Sequence, residues 1–133
     1  MHFTGTIWRP PYEASSLLLE VTAGCTHHKC KFCTLYNDLP FKFRMSPLED
    51  VESDLQEAQL WSTDPISMLT ARLQGLPRPE RIQRAFLTGA NPFVLKYERL
   101  MEIAHLIREY IPSVKTIGCF ARITDITLKS EEE

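Results

Sequence analysis

Cys25, Cys30 and Cys33 stand together in the stretch GCTHHKCKFC, residues 24–33, while the fourth cysteine of the chain lies far off at Cys119. The spacing is Cys-x4-Cys-x2-Cys. A short loop can bend three thiolates around one inorganic cluster, and such a cluster takes four ligands. Where no protein cysteine supplies the fourth, one iron keeps an open position. An open position on a metal is where a substrate or cofactor binds, by the logic that separates catalytic from structural zinc sites. Three other readings stay open on the residues alone. His27 or His28 could complete a structural zinc site, although both sit between the cysteines rather than in a second ligand pair. The spacing also equals that of plant-type ferredoxins, with Cys119 as the distant fourth ligand of an electron carrier. A truncated remnant could keep the loop, hold iron and turn nothing over.

The elements that must position this loop follow from patterning. Residues 1–15 carry RPP at Arg9–Pro11 and read as an extended N-terminal extension, because proline disfavours helix in the residue before it. SLLLEVT (Ser16–Thr22) is a short apolar run closed by Gly24, as in a buried strand. The cysteine loop leaves it directly and continues through YNDLPFKFR to Arg44. In SPLEDVESDLQEAQLW, Ser46 is placed to cap a helix, Pro47 to take its first turn and Glu49 to complete a capping box. Leu48, Val51, Leu55 and Ala58 then line one face. The stretch 62–80, with prolines and a glycine near its end, reads as an insertion with at most a short helix. RAFLT (Arg84–Thr88) is a second strand, stopped by the turn GANP. A second amphipathic helix runs from Tyr97 to Tyr110, with Leu100, Ile103, Ala104, Ile107 and Tyr110 on one side. VKTIGCFARIT (Val114–Thr124) is the third strand, and Ser130 and Glu133 have the spacing of a capping box that begins another helix.

Strands alternating with helices define an α/β class built from right-handed βαβ units around a parallel sheet. Ligands on such sheets sit at the carboxyl ends of the strands, where the cysteine loop departs. Three strands cannot close a barrel, and a (β/α) barrel usually needs about 250 residues. The expectation is therefore a single incomplete domain over residues 1–133, a partial (β/α) TIM-like barrel that ends after its third strand. The uncovered sheet edge and helix faces predict self-association. A formal charge of -2 leaves no basic footprint for nucleic acid or an anionic membrane. No apolar run approaches the ~20 residues of a spanning helix, and the start lacks a signal-peptide layout. That predicts a cytoplasmic protein, where clustered cysteines hold metal or do chemistry more often than they form disulfides.

The cysteine motif resembles that of the radical S-adenosylmethionine (SAM) enzymes, whose usual signature is C-x3-C-x2-C with an aromatic residue before the last cysteine. Here CTHHKCKFC has one more residue in the first gap and Phe32 in the aromatic place. The flanks RPPYEASSLLLEVTAG and FRMSPLEDVESDL, with AFLTGANPFVL and TIGCFARITDI, extend the resemblance over most of the chain. It implies that Cys25, Cys30 and Cys33 ligate a [4Fe–4S] cluster whose fourth iron binds S-adenosyl-L-methionine. Phe32 would lie near the adenine. Thr88, Gly89, Ala90 and Asn91 stand where the family carries a GGE-like turn that meets the methionine amino group, here without the acidic residue. The implied chemistry is reductive cleavage of the cofactor to methionine and a 5′-deoxyadenosyl radical, which takes hydrogen from a substrate. The implied electron donor is reduced flavodoxin or ferredoxin. His27, His28 and Arg122 carry no assigned role, and Tyr36, Phe43 and Trp61 are expected to pack.

Overall fold

The computed structural model describes residues 1–74 and 82–130. Residues 75–80 of the expected insertion and Glu131–Glu133 of the expected capping box lie outside them. Three strands, β1 (Leu17–Glu20), β4 (Arg84–Thr88) and β5 (Thr116–Cys119), form a parallel sheet in the order β1-β4-β5. Between them in the chain run α1 (Leu48–Thr63), α2 (Pro65–Leu73) and α3 (Tyr97–Tyr110), and a short helix α4 (Ile123–Thr127) follows β5. A separate antiparallel pair joins β2 (Thr22–Gly24) to β3 (Phe43–Met45). The molecule is thus α/β with a three-stranded parallel sheet.

Alternation along the strands sends Leu17, Leu19, Ala85, Leu87, Ile117 and Cys119 toward the helices, where they meet the buried stripes Val51-Leu55-Ala58 of α1 and Ile103-Ile107 of α3. Both helices follow the periodicity expected of them. Their packed faces and the strand residues they meet make up most of the apolar core, which also includes Leu95, Ile111 and Val114 from the connections.

The opposite face of the sheet carries Phe86 and Thr88, both buried, and is covered in part by the N-terminal extension. A 3-10 turn, Pro11–Glu13, brings the Glu13 carboxylate within 2.5 Å of Arg84 Nη2 and 3.2 Å of its Nε. The Ser16 hydroxyl donates to the same carboxylate. Arg84 first, then Ser16, hold the Glu13 carboxyl below its ordinary value of 4.5, against the opposing effect of burial. A lowered folded-state value adds stability above the unfolded value and loses it as pH falls through the folded one. Glu13→Gln is therefore expected to melt below the unaltered chain at about pH 7, with the gap closing as pH falls below the ordinary carboxylate value. Thermal melts across that range measure it, and a gap that persists into acid would remove the carboxylate from the account.

Five expectations need correction, the simplest being that Trp61, expected to pack, stands 59% exposed near the end of α1. The run Ser16–Thr22 is not one strand: β1 ends at Glu20, and from Thr22 the chain leaves the sheet to pair with β3, residues read as loop. Ser46 does not cap α1. The helix begins at Leu48 with Pro47 in the cap position and no side-chain cap, because extended Pro47 (ψ 145°) holds Ser46 outside the first turn. Ser46 instead donates its amide to the Val21 carbonyl (3.0 Å) and accepts from Arg99 at its own carbonyl (3.0 Å). The third strand stops at Cys119 rather than Thr124. There the buried Asn91 side chain accepts from the Arg122 amide (3.3 Å) and donates to Asp125, drawing the chain into α4 instead of along the sheet. Within 62–80, helix occupies more than a short stretch, since α1 runs to Thr63 and α2 spans Pro65–Leu73.

One buried charge escaped the sequence pattern. Asp54 lies among the apolar stripe of α1 at 1% exposure. It accepts from the His2 backbone amide at 2.8 and 2.9 Å and stands 2.7 Å from His2 Nδ1, which pins the start of the chain to α1.

Candidate functional site

The cysteine loop, residues 25–42, is closed at its base by β2 and β3, and the Cys25 amide donates to the Lys42 carbonyl at 2.8 Å. Gly24 makes this closure feasible. Its φ of +77° suits glycine, and a Cβ there would stand 2.3 Å from the Lys42 carbonyl oxygen. Above the base, the loop bonds to near neighbours in single turns: Cys33 N to Cys30 O (3.1 Å), Asn37 N to Thr34 O (3.2 Å) and Leu39 N to Tyr36 O (3.4 Å). No sheet ladder has to break for its side chains to rearrange.

Cys25 and Cys33 are half-buried, Cys30 is exposed, and all three thiols are free of disulfides. The Cys25 thiol accepts the His28 backbone amide at 3.5 Å, with His28 in the left-handed region (φ 46°). The His28 ring Nε2 lies 3.0 Å from Asn37 Oδ1, a contact that joins two parts of the loop. Tyr36, expected only to pack, sits where both half-buried thiols act on it. Burial pushes its hydroxyl up, and the charges that Cys25 and Cys33 can carry push it further. No pattern in the sequence marks that proximity. Phe32 stands 89% exposed. Cys119 is on the helix-facing layer of the sheet, half-buried, and burial raises its thiol.

The turn after β4 meets the loop's root. Gly89 has φ +127°, and a Cβ on it would stand 2.0 Å from Thr22 Oγ1. This close approach brings the carboxyl ends of β1 and β4 and the beginning of β2 together around a cavity of about 230 Å³. Thr4–Trp8 cover it, and Glu20, Thr22, Tyr36, Asp38 and Thr88 supply its polar groups. Thr22 and Thr88 are 0% and 2% exposed, and their hydroxyls have no hydrogen-bond partner among the described residues. Ala90 is half-buried, and both ends of the Asn91 side chain are engaged by Arg122 and Asp125. Arg122 lies 4.0 Å from Asp125 through its Nε.

Among the described residues, no three His, Cys, Asp or Glu side chains stand close enough together to hold a metal ion. The donor chemistry nevertheless fits an iron–sulfur cluster: three free thiols on one loop, anchored at both ends and bonded only locally between them. Binding would have to draw Cys30 inward from the surface. No helix among the described residues is long and apolar enough to cross a membrane. Compared with models of known protein families, with curated proteins and with solved structures, the chain matches none.

Proposed function

We propose that this chain is an iron–sulfur protein of the radical SAM kind, with Cys25, Cys30 and Cys33 as the ligands of a [4Fe–4S] cluster. The observation that carries this reading is the three-thiol loop itself, rooted beside the carboxyl ends of β1 and β4 and next to the glycine turn at Gly89. When bound, such a cluster supplies one electron to the sulfonium of S-adenosyl-L-methionine, releasing methionine and a 5′-deoxyadenosyl radical that takes hydrogen from a substrate.

The chain's own residues would do simpler work. Gly24 and Gly89 let backbone segments approach closely, and the Gly89–Ala90 backbone offers polar groups to the cofactor's amino group. Unpaired Thr22 and Thr88 hydroxyls offer hydrogen bonds inside the cavity. Tyr36 lies close enough to feel the charges of the two half-buried thiols, while Cys30 stands exposed. The finer architecture proposed is a partial (β/α) barrel, in which β1 and β5 each keep one unpaired edge. Those edges support self-association, and the proposed setting is the cytoplasm with reduced flavodoxin or ferredoxin as donor.

Anaerobic reconstitution with iron and sulfide, followed by paramagnetic resonance of the reduced protein with and without S-adenosylmethionine, tests the reading. The expected result is a [4Fe–4S] signal that changes on adding the cofactor, as an open iron requires. A [2Fe–2S] signal lost in Cys119→Ala would make the protein an electron carrier instead. Zinc taken up in place of iron would sink both.

A further inference from the structure

We propose that residues 1–8 form a strap over the cavity beside the cysteine loop, latched by Glu20, and that this latch must release before a ligand reaches the Thr22 and Thr88 hydroxyls. No residue of the strap is fully buried, although Phe3 (39% exposed) and Trp8 (48% exposed) each cover half or more of their surface. Polar bonds fasten it as well. Thr4 donates from its amide (2.8 Å) and its Oγ1 (2.6 Å) to the two oxygens of Glu20, the last residue of β1. Arg44 of β3 donates to the same Thr4 oxygen at 3.0 Å. The far end is tied to Asp54 through His2.

Space lies along the strap as well as beneath it. The cavity of about 230 Å³ is covered by Thr4–Trp8, and a second hollow of about 390 Å³ runs along Met1–Thr4. A segment with no fully buried residue, fastened at His2 and Thr4 and with hollows against it, opens locally at a fraction of the global free energy. Glu20 both fastens Thr4 and lines the cavity, so one carboxylate links the strap to the space it covers. The strap also runs beside the cysteine loop: Gly5 and Leu39 line the same cavity, and a Cβ on Gly5 would lie 3.4 Å from Leu39 Cδ2.

Closed, the cavity leaves two buried hydroxyls unpaired, which costs free energy that a ligand reaching them would recover. In the proposed function the strap would admit S-adenosylmethionine, and that consequence rests on the functional reading. The opening itself does not, so its test uses the chain without iron or cofactor.

Thr88→Cys puts a near-isosteric thiol inside the cavity. Its alkylation by iodoacetamide is read position by position by peptide mass spectrometry, so the native cysteines serve as internal references. Adding Glu20→Gln, which keeps the shape of the latch but loses its charge, is expected to speed labelling at position 88 by about fivefold to tenfold, the difference between hydrogen bonds to a charged and to a neutral acceptor, while Cys119 keeps its rate. An unchanged rate at position 88 overturns the latch. Parallel acceleration at Cys119 also overturns it, because the whole domain would then have loosened.

Thr88→Cys can itself disturb β4, so a second readout leaves that strand intact. In a Trp61→Phe background, acrylamide quenching follows Trp8, a strap residue that does not bond to Glu20. Glu20→Gln is expected to raise that quenching with no change in melting temperature of more than a few degrees. Quenching unchanged by Glu20→Gln overturns the proposal.

Discussion

Single replacement of Cys25, Cys30 or Cys33 by alanine is expected to strip nearly all iron from the reconstituted protein, whereas Cys119→Ala leaves the iron content unchanged. Outer-shell groups that merely orient a ligand already cost about 10–100-fold in metal affinity when removed, and a lost ligand costs more. Folding should survive all three replacements. Cys30 is exposed and the other two half-buried on a locally bonded loop, so each removes little of the apolar burial that stabilises the sheet and helices. Iron and sulfide assays beside circular dichroism separate the two effects. Unaltered iron content in any one of the three variants would remove that residue from the ligand set. Iron lost in Cys119→Ala would shift the weight to a four-cysteine site, although Cys119 packs in the layer facing the helices.

The elements that the sequence predicts best are those decided locally. α3 spans Tyr97–Tyr110 and β4 spans Arg84–Thr88, as their patterns require, because a helical stripe and a short apolar run stopped by a turn are each written locally. The failures have non-local causes. Nothing within SLLLEVT marks a change of partner at Val21, since the partner is β3, which lies beyond the whole cysteine loop. β5 ends early because Asn91, one connection back, captures Arg122 and Asp125. Asp54 looks like a misplaced charge on an apolar face until His2 is set against it.

The candidate site divides the same way. Cysteine spacing is written in one short stretch and needs no tertiary knowledge. The nearness of Tyr36 to two thiols, the unpaired Thr22 and Thr88 hydroxyls and the strap over them are created by folding. Glycines give an intermediate case. The turn GANP is legible as a turn, but only the structure reveals that Gly89 is pressed against Thr22.

That pressure makes Gly89→Ala, like Gly24→Ala, a strongly damaging small substitution in this chain. At φ +127° a side chain is strained by its own backbone, at about 1–3 kcal/mol for residues held in such sparsely populated conformations. The added Cβ would also lie 2.0 Å from Thr22 Oγ1 and 2.5 Å from the Thr22 carbonyl oxygen. Relieving that overlap means moving β2 away from the end of β4, a rearrangement of the kind that costs about 1–3 kcal/mol in packed interiors. Together these consume a large part of a net stability of about 5–15 kcal/mol, so the melting temperature should fall by about 10 °C or more. Thr22→Ala in the same chain removes the hydroxyl clash but neither the carbonyl clash nor the backbone strain, and should restore only part of the loss. Full recovery in the double variant would mean that the two strand ends are held apart by a side chain alone. Partial recovery would mean that β2 and the turn after β4 meet backbone to backbone, and that the space beside the cysteine loop depends on a glycine at position 89.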